Sequence, residues 1–127
     1  TYGHDCHNLT VYGGNDADMA LAANTLRDAQ GGLCTAENGK VLTLIPLPLA
    51  GLMCDQSPEA LLAQMEQFLA DCRRMGFTHK NLLTFFTLMP LAVSPELKCT
   101  DRGLVDALRK RLLPLIEEIK EISSDGT

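Results

Sequence analysis

A cluster of titratable and amide side chains stands at the start of the sequence, at His4, Asp5, His7 and Asn8. Imidazole, carboxylate and amide groups can bind a metal ion, transfer a proton or orient a substrate. The cluster leads into a short strand-like segment, residues 9–12, which is followed by a glycine turn and a helix start. Polar groups at the entrance of a strand are typical of a site held on a rigid frame. We therefore take this cluster as the candidate site and the rest of the chain as its frame.

Transition-metal binding is one chemistry that the cluster can support. His4 and His7 are three residues apart, with Asp5 and Cys6 between them, and all of these side-chain types bind such metals. On an extended segment, however, positions 4 and 7 point to opposite faces, so joint chelation needs a turn. A polar, hydrogen-bonded loop is therefore favoured over a metal site. Cys6, the one cysteine beside histidines, is a still weaker candidate for a nucleophile.

The glycine turn raises the alternative of a phosphate site. Gly13 and Gly14 precede Asn15, which can cap a helix, and helix N-termini bind anions. Carboxylates at Asp16 and Asp18 would repel an anion there, and the glycine-rich fingerprints of nucleotide-binding loops are absent. The turn is therefore interpreted as structural.

The bulk properties bound the class of protein. A length of 127 residues fits one domain with a real core, and a net charge of −5 argues against a nucleic-acid surface. No run approaches the roughly 20 apolar residues of a membrane span. Five scattered cysteines without a C-x-x-C pair indicate a reducing, cytoplasmic compartment. Because the sequence opens on Thr1, we expect a processed chain or a piece of a longer protein.

The first half of the chain predicts a strand, a helix and a hairpin. Residues 9–12 alternate as a strand, and a helix begins at Asn15 with apolar residues at helical spacing. Residues 33–36 and 40–47 are strand-like and flank Asn38 and Gly39, a dipeptide typical of tight hairpin turns. The apolar residues 50–53 that follow predict a tight buried bend.

The second half predicts a helix, a central strand and a last helix. Ser57, Pro58 and Glu59 form a strong helix start before an apolar stripe that ends at Gly76. The almost wholly apolar residues 82–89 indicate a buried strand. Residues 94–103 indicate a polar loop, and residues 104–119 a helix kinked by Pro114.

This element order predicts an α/β fold. We expect one small domain over residues 1–127, with a mixed β-sheet and helices packed on it in the order strand, helix, hairpin, helix, strand, helix. Two helical crossovers imply at least one parallel strand pair with a right-handed connection.

Four strings in this order and spacing carry a resemblance to a known family: HDCHN at 4–8, NDADMA at 15–20, LPLAGLM at 47–53 and PELKCTDRGLVD at 95–106. The chain resembles the C-terminal domain of bacterial adenine deaminases over about residues 2–106. The family commonly has Ser where this chain has Cys6. It also tends to close with a short extended segment, whereas residues 107–122 here favour a helix, so we expect a divergent helical tail over residues 107–127.

The resemblance implies a part in a metal-dependent amidohydrolase of purine salvage that converts adenine and water to hypoxanthine and ammonia. In such enzymes the divalent metal, manganese or iron, lies in a preceding (β/α)8 barrel whose His-x-His motif has no counterpart here. This chain is therefore expected to bind no cofactor, to hold no catalytic residue of its own and to be inactive alone. Its expected partners are its own upstream barrel, adenine in the full enzyme and, in addition, a second copy in a homodimer.

The resemblance also suggests what the polar cluster does. We expect His4, Asp5, His7 and Asn8 to form a loop near the barrel mouth that orders the substrate or the contact between the domains. Asp101 and Arg102 are second choices for the same role.

A rival hypothesis is a stand-alone, non-catalytic α/β interaction module, possibly dimeric in its natural state. Its contacts would be made by the apolar residues 46–53 and the C-terminal helix. A reading frame that continues upstream into a His-x-His-bearing barrel would favour the enzyme, and one that begins near Thr1 would favour the module.

Overall fold

The computed structural model describes residues 2, 3, 6, 8–114 and 116. Over these residues the elements are α1 (Asp16–Asp28), β1 (Gly32–Glu37), β2 (Lys40–Pro46), α2 (Pro58–Arg74), α3 (Leu82–Leu88), β3 (Leu97–Thr100), β4 (Gly103–Asp106) and β5 (Arg111–Leu113). They form two antiparallel sheets, one of β1 and β2 and one of β3, β4 and β5 in that order. The predicted class, a small single domain of mixed α/β type, is confirmed.

Capping side chains set the start of α1 and join it to the hairpin. The Asn15 side chain accepts hydrogen bonds from the amides of Ala17 at 2.9 Å and Asp18 at 3.3 Å, as its N-cap position predicts. The Asp18 carboxylate reaches across to the hairpin turn and accepts from the amides of Asn38 at 3.0 Å and Gly39 at 2.8 Å. The first turn of α1 therefore holds the β1–β2 turn in place.

The core lies where α2 and α3 meet the hairpin. Ile45 is fully buried and Leu82 is 2% exposed, and both pack with Leu47, Phe68 and Cys72. α2 begins as predicted, with the Ser57 hydroxyl accepting from the Ala60 amide at 3.3 Å and Pro58 in the first turn. The apolar stripe of this helix therefore covers one face of β1 and β2.

One buried carboxylate joins α2 to both strands. Asp71 is 4% exposed, and one of its oxygens accepts from the Thr35 hydroxyl at 2.9 Å and from the Thr43 hydroxyl at 2.6 Å. Its other oxygen accepts from Gln67 at 3.0 Å. Thr35 also accepts from the Thr43 amide at 3.1 Å, beside the register shift that follows Thr35 in β1. At the point where the ladder is irregular, the Thr35 hydroxyl thus accepts from a backbone amide, and the carboxylate holds that hydroxyl in place.

The pKa of Asp71 reflects this network. Burial raises the pKa of the carboxyl, but the hydrogen bonds from Thr43, Thr35 and Gln67 outweigh it. Arg74, one turn away on α2, adds a further lowering and also pairs with Glu37 on β1. The net result is a pKa below the ordinary aspartate value.

The prediction of a central strand over residues 82–89 was wrong, because Leu82–Leu88 form α3. The Asn81 side chain caps this helix by accepting from the Thr84 amide at 3.3 Å. The run is apolar except for Thr84 and Thr87, and such a short apolar run does not distinguish a buried strand from a short buried helix. Asn81 was the local signal that the strand prediction did not use.

The predicted last helix over residues 104–119 was also wrong within the described residues. Gly103–Asp106 and Arg111–Leu113 are strands, and part of the predicted polar loop 94–103 is β3. The Asp106 carboxylate accepts from the Arg109 amide at 2.9 Å, which closes the β4–β5 connection in place of a helical turn. Strand pairing decided this segment against its helical leucine spacing. The rest of the predicted helical tail, at 115 and 117–127, lies outside the described residues.

The predictions for residues 9–12 and for residues 50–53 also need correction. Residues 9–12 form no strand, and no parallel pair occurs among the described residues, so a mixed sheet is not observed there. The bend at 50–53 is tight, since Ala50 and Gly51 have φ of 58° and 73° and Leu49 pairs with Met53. It is not buried as a whole, because Ala50 is exposed and Met53 is 59% exposed.

Replacing Asp71 by Asn should change how stability depends on pH. The folded-state pKa of Asp71 is lowered, so its stabilisation is complete above the ordinary aspartate pKa of about 4 and is lost as pH falls through the lowered value. At pH 7 we expect Asp71→Asn to reduce the free energy of unfolding by about 1–3 kcal/mol. Urea unfolding of both proteins from pH 7 to pH 2.5 measures this difference, which should shrink below about pH 4.

Asp28→Asn is the matched control, because Asp28 is exposed in a surface pair with Arg27. It should follow the wild type within about 0.5 kcal/mol. A destabilisation by Asp71→Asn that is the same at every pH would contradict the role assigned to the ionised carboxylate.

Candidate functional site

The structure places the described candidate residues in two separate regions. Asn8 is partly buried and lines a cleft beside β1. Asp101 and Arg102 are exposed at the turn between β3 and β4, where the Thr100 hydroxyl donates to the Gly103 carbonyl at 2.9 Å, and neither lines the cleft. His4, Asp5 and His7 lie outside the described residues. The role of the cluster as a loop at a domain contact therefore stays a prediction.

The cleft has a volume of about 670 Å³. Its walls are residues 8–14, one side of α1, the strand β1, and parts of α2 and α3. Apolar side chains dominate the lining, with Phe68, Phe77 and Phe86 on the side of α2 and α3 and Met19 and Leu26 on α1. A cleft of this size and character is typical of a place where an apolar or amphipathic group binds.

Tyr12 connects the N-terminal segment to α3. Its hydroxyl donates to the Phe86 carbonyl at 3.1 Å, and its ring lies 4.9 Å from the Phe86 ring and 6.0 Å from the Phe85 ring. Burial raises the pKa of Tyr12 to about 12, with smaller contributions from Cys99 and Cys6. Tyr12 is therefore a neutral hydrogen-bond donor at physiological pH. Sequence reasoning treated it only as a strand residue and missed this anchor.

The polar groups at the start of α1 are engaged in structural contacts. The Asn15 oxygen accepts from the helix, and both Asp18 oxygens accept from the hairpin turn. The negative charge of Asp18 would also repel an anion from the free amides at the start of α1. This arrangement agrees with the interpretation of the glycine turn as structural.

The described residues offer no set of metal ligands. No group of three or more His, Cys, Asp and Glu side chains in the described part of the chain can hold a metal ion. His79 is exposed, and its Nδ1 accepts from the Asn81 amide at 3.1 Å. Burial raises the pKa of Cys34, and it raises that of Cys72 to about 11. Both thiols therefore stay protonated, which disfavours them as metal ligands or nucleophiles.

Two buried charged groups in the C-terminal sheet were not singled out from the sequence. Asp106 is 2% exposed and accepts from the Arg109 guanidinium at 2.9 Å, and this bond together with that of the Arg109 amide lowers the pKa of Asp106. Lys98 is 8% exposed and donates to the carbonyls of Pro95 at 2.9 Å and Leu97 at 3.3 Å. Both side chains close loops, so their contacts are structural.

No helix in the described part of the chain has both the length and the apolar character needed to cross a membrane.

Comparison with known proteins gives the family. The model of the adenine deaminase C-terminal domain matches residues 1–111. The chain is 43% identical over 118 residues to an adenine deaminase of Clostridium botulinum and 43% identical over 116 residues to one of Moorella thermoacetica. It is 47% identical over 111 residues to an adenine deaminase of Methylobacterium nodulans. These matches cover 93%, 91% and 87% of the chain but 20% of each relative.

The chain thus spans about a fifth of the length of the curated relatives that it matches. Its match to the domain model reaches residue 111 and so includes the start of β5, an extended segment where the family was expected to have one. The predicted resemblance is confirmed, and this chain belongs to the adenine deaminase C-terminal domain family.

Proposed function

We propose that this chain acts as the C-terminal domain of a cytoplasmic, metal-dependent adenine deaminase of the amidohydrolase type. The reaction would convert adenine and water to hypoxanthine and ammonia in purine salvage. The observation that carries the proposal is the match of residues 1–111 to the adenine deaminase C-terminal domain family, together with 43% identity to proteins named adenine deaminase.

The division of labour follows from which side chains are present. A divalent ion, manganese or iron, would lower the pKa of a bound water and so supply the nucleophile in an upstream (β/α)8 barrel. The described residues of this chain do not fit such an ion, because they offer no group of three ligands. We therefore assign no chemical step to this domain. Its role would be to order the substrate or the contact between the domains.

Of the N-terminal polar cluster, Asn8 is the residue that the structure describes. It is partly buried in the cleft wall and directly precedes the segment that Tyr12 anchors to α3. A side chain at this position can be held in place by the body of the domain. His4, Asp5 and His7 would share the role, with Asp101 and Arg102 as second choices at a different surface.

Single changes in the cluster should lower activity of the full-length enzyme. In a protein that carries the upstream barrel, we expect Asn8→Ala, His4→Ala or His7→Ala to reduce kcat/KM for adenine by about tenfold or more, as for loss of a group that positions substrate. Ammonia release measures the activity, and thermal unfolding separates it from loss of stability.

Asn24→Ala is the matched control, because Asn24 is exposed on α1 and does not line the cleft. It should leave kcat/KM within about twofold of the wild type. The 127-residue chain alone, supplied with manganese or iron, should release no ammonia from adenine. Unchanged kinetics in all three cluster variants would contradict the assigned role, and turnover by the isolated chain would overturn the division of labour.

A second candidate function is self-association as an interaction module. Its supporting observation is the turn at 49–53, which displays Leu49 and Met53 on the surface. Leu108, between β4 and β5, and Leu112, on β5, are also exposed. Exposed apolar side chains that lie together mark protein contacts more often than isolated ones do. The same turn would equally suit contact with an upstream domain.

Polar substitution of this turn should weaken self-association if that candidate is correct. We expect the isolated chain to sediment as a dimer and Leu49→Ser with Met53→Ser to raise its dimer dissociation constant by about tenfold or more. Ala63→Ser, at an exposed position on α2, is the control. If the chain is still monomeric at about 100 μM, its self-association is weaker than that of specific interfaces of ordinary size. That result would exclude the dimer.

A further inference from the structure

The cleft beside β1 has two chemically different walls, and the first is aromatic. The side of α2 and α3 carries the rings of Phe68, Phe77 and Phe86. Phe77 and Phe86 meet edge to face, with ring centres 5.3 Å apart. Cys72 and Met75 line the same side. Because aromatic and sulfur-bearing side chains make favourable contacts with aromatic rings, this wall suits a flat aromatic molecule.

The second wall, residues 8–14, supplies polar groups. Asn8 and Thr10 line the cleft and are partly buried. Within the described part of the chain, neither the Asn8 amide nor the Thr10 hydroxyl has a hydrogen-bond partner. Each of these groups can both donate and accept. A ligand with donors and acceptors along its edge can therefore be bound by this wall, which Tyr12 attaches to α3.

The charges of the lining limit the charge of the ligand. Among the described lining residues the charged side chains are Asp18 and Glu37, and no lysine, arginine or histidine is present. These carboxylates repel an anion such as a nucleotide. They are also already engaged, Asp18 with the hairpin amides and Glu37 with Arg74, which disfavours a cation. The cleft therefore suits an uncharged ligand.

We propose that the cleft binds an uncharged purine, as the base or as its nucleoside. The ring system would lie against the aromatic wall, and its edge would form hydrogen bonds with Asn8 and Thr10. Asparagine binds the edge of adenine in this way in other proteins. The cleft volume of about 670 Å³ lies within the range of small-molecule pockets. The choice of a purine among neutral aromatic compounds rests on the proposed function, whereas the site rests on the cleft alone.

A purine in this cleft would act as an effector. No chemical step is assigned to this domain, so the bound molecule is not turned over here. Its contacts would join residues 8–14 to the aromatic wall and so fix the segment that directly follows the candidate cluster. The concentration of a substrate or product could in this way influence the order of that cluster.

Nuclear magnetic resonance titration of this chain with adenine, with adenosine and with adenosine 5′-monophosphate tests the proposal. We expect adenine or adenosine to shift the amide signals of cleft residues, with a dissociation constant of about 1 mM or lower. Adenosine 5′-monophosphate should bind about tenfold or more weakly than adenosine, because the two carboxylates of the lining repel its phosphate.

Ala23→Leu and Ala20→Leu form a matched pair on α1. Ala23 lines the cleft, whereas Ala20 is exposed and does not. Ala23→Leu should fill the site and weaken binding by about tenfold or more, and Ala20→Leu by less than about twofold. Thr10→Val keeps the shape of the wall but removes the hydroxyl, so it should weaken binding by about three- to tenfold. Thermal unfolding checks that each variant is folded.

Three results would overturn the proposal. The first is the absence of shifts in cleft amides at about 5 mM of either purine. The second is binding of adenosine 5′-monophosphate as tight as that of adenosine. The third is equal affinity in the two leucine variants or, if Ala23→Leu does not fold, unchanged affinity in Thr10→Val. Because no measurement uses adenine turnover, failure here leaves the proposed function unaffected.

Discussion

The contact between the Asp71 carboxylate and the hydroxyls of Thr35 and Thr43 is the interaction on which the rest of this structure depends. It joins α2 to both strands of the hairpin at the place where the ladder shifts register. A bulge leaves backbone groups without regular partners, and a buried polar group is costly unless all of its hydrogen bonds are made. The Thr35 hydroxyl accepts from the Thr43 amide there, and the Asp71 carboxylate accepts from the hydroxyls of Thr35 and Thr43 and from Gln67, so that its own burial is compensated. The apolar packing of Ile45, Phe68 and Cys72 is built around that fixed point.

The N-terminal half is held to this centre by a second carboxylate. Asp18 links the start of α1 to the Asn38–Gly39 turn, so the helix cannot move without the hairpin. Tyr12 joins the N-terminal side of α1 to α3 through its hydrogen bond and ring contacts with Phe86. Residues 8–14 form one wall of the cleft beside β1.

Family membership and chemistry come from different sources in this protein. The four sequence strings carry the family, and two of them have evident structural roles: NDADMA contains the cap and the Asp18 contact, and PELKCTDRGLVD forms the β3–β4 hairpin. LPLAGLM forms the turn that displays Leu49 and Met53, a surface that a neighbouring domain can cover. These contacts explain why such strings suit this fold, whereas the deamination chemistry belongs to the proposal about a larger enzyme.

Local chemistry determined the elements whose signals are short in range. Asn15 and Ser57 as caps, Pro58 in a first turn and Asn38–Gly39 in a hairpin each act through neighbouring backbone groups, so the sequence alone predicted α1, α2 and the β1–β2 hairpin. The candidate site was predicted only as a cluster. Of its described members, Asn8 lines the cleft, whereas Asp101 and Arg102 lie at a separate turn.

Tertiary structure decided the segments whose local pattern is ambiguous. Residues 82–88 are apolar except for two threonines, and they form a helix because Asn81 caps them and the core accepts Leu82. The leucines from 104 onward have helical spacing, yet pairing with β3 and the Asp106 contacts made strands of 103–106 and 111–113. Residues 9–12 have strand character but form no strand in the described part of the chain. In all three cases the outcome depends on contacts with other segments of the chain, which the pattern within one segment does not contain.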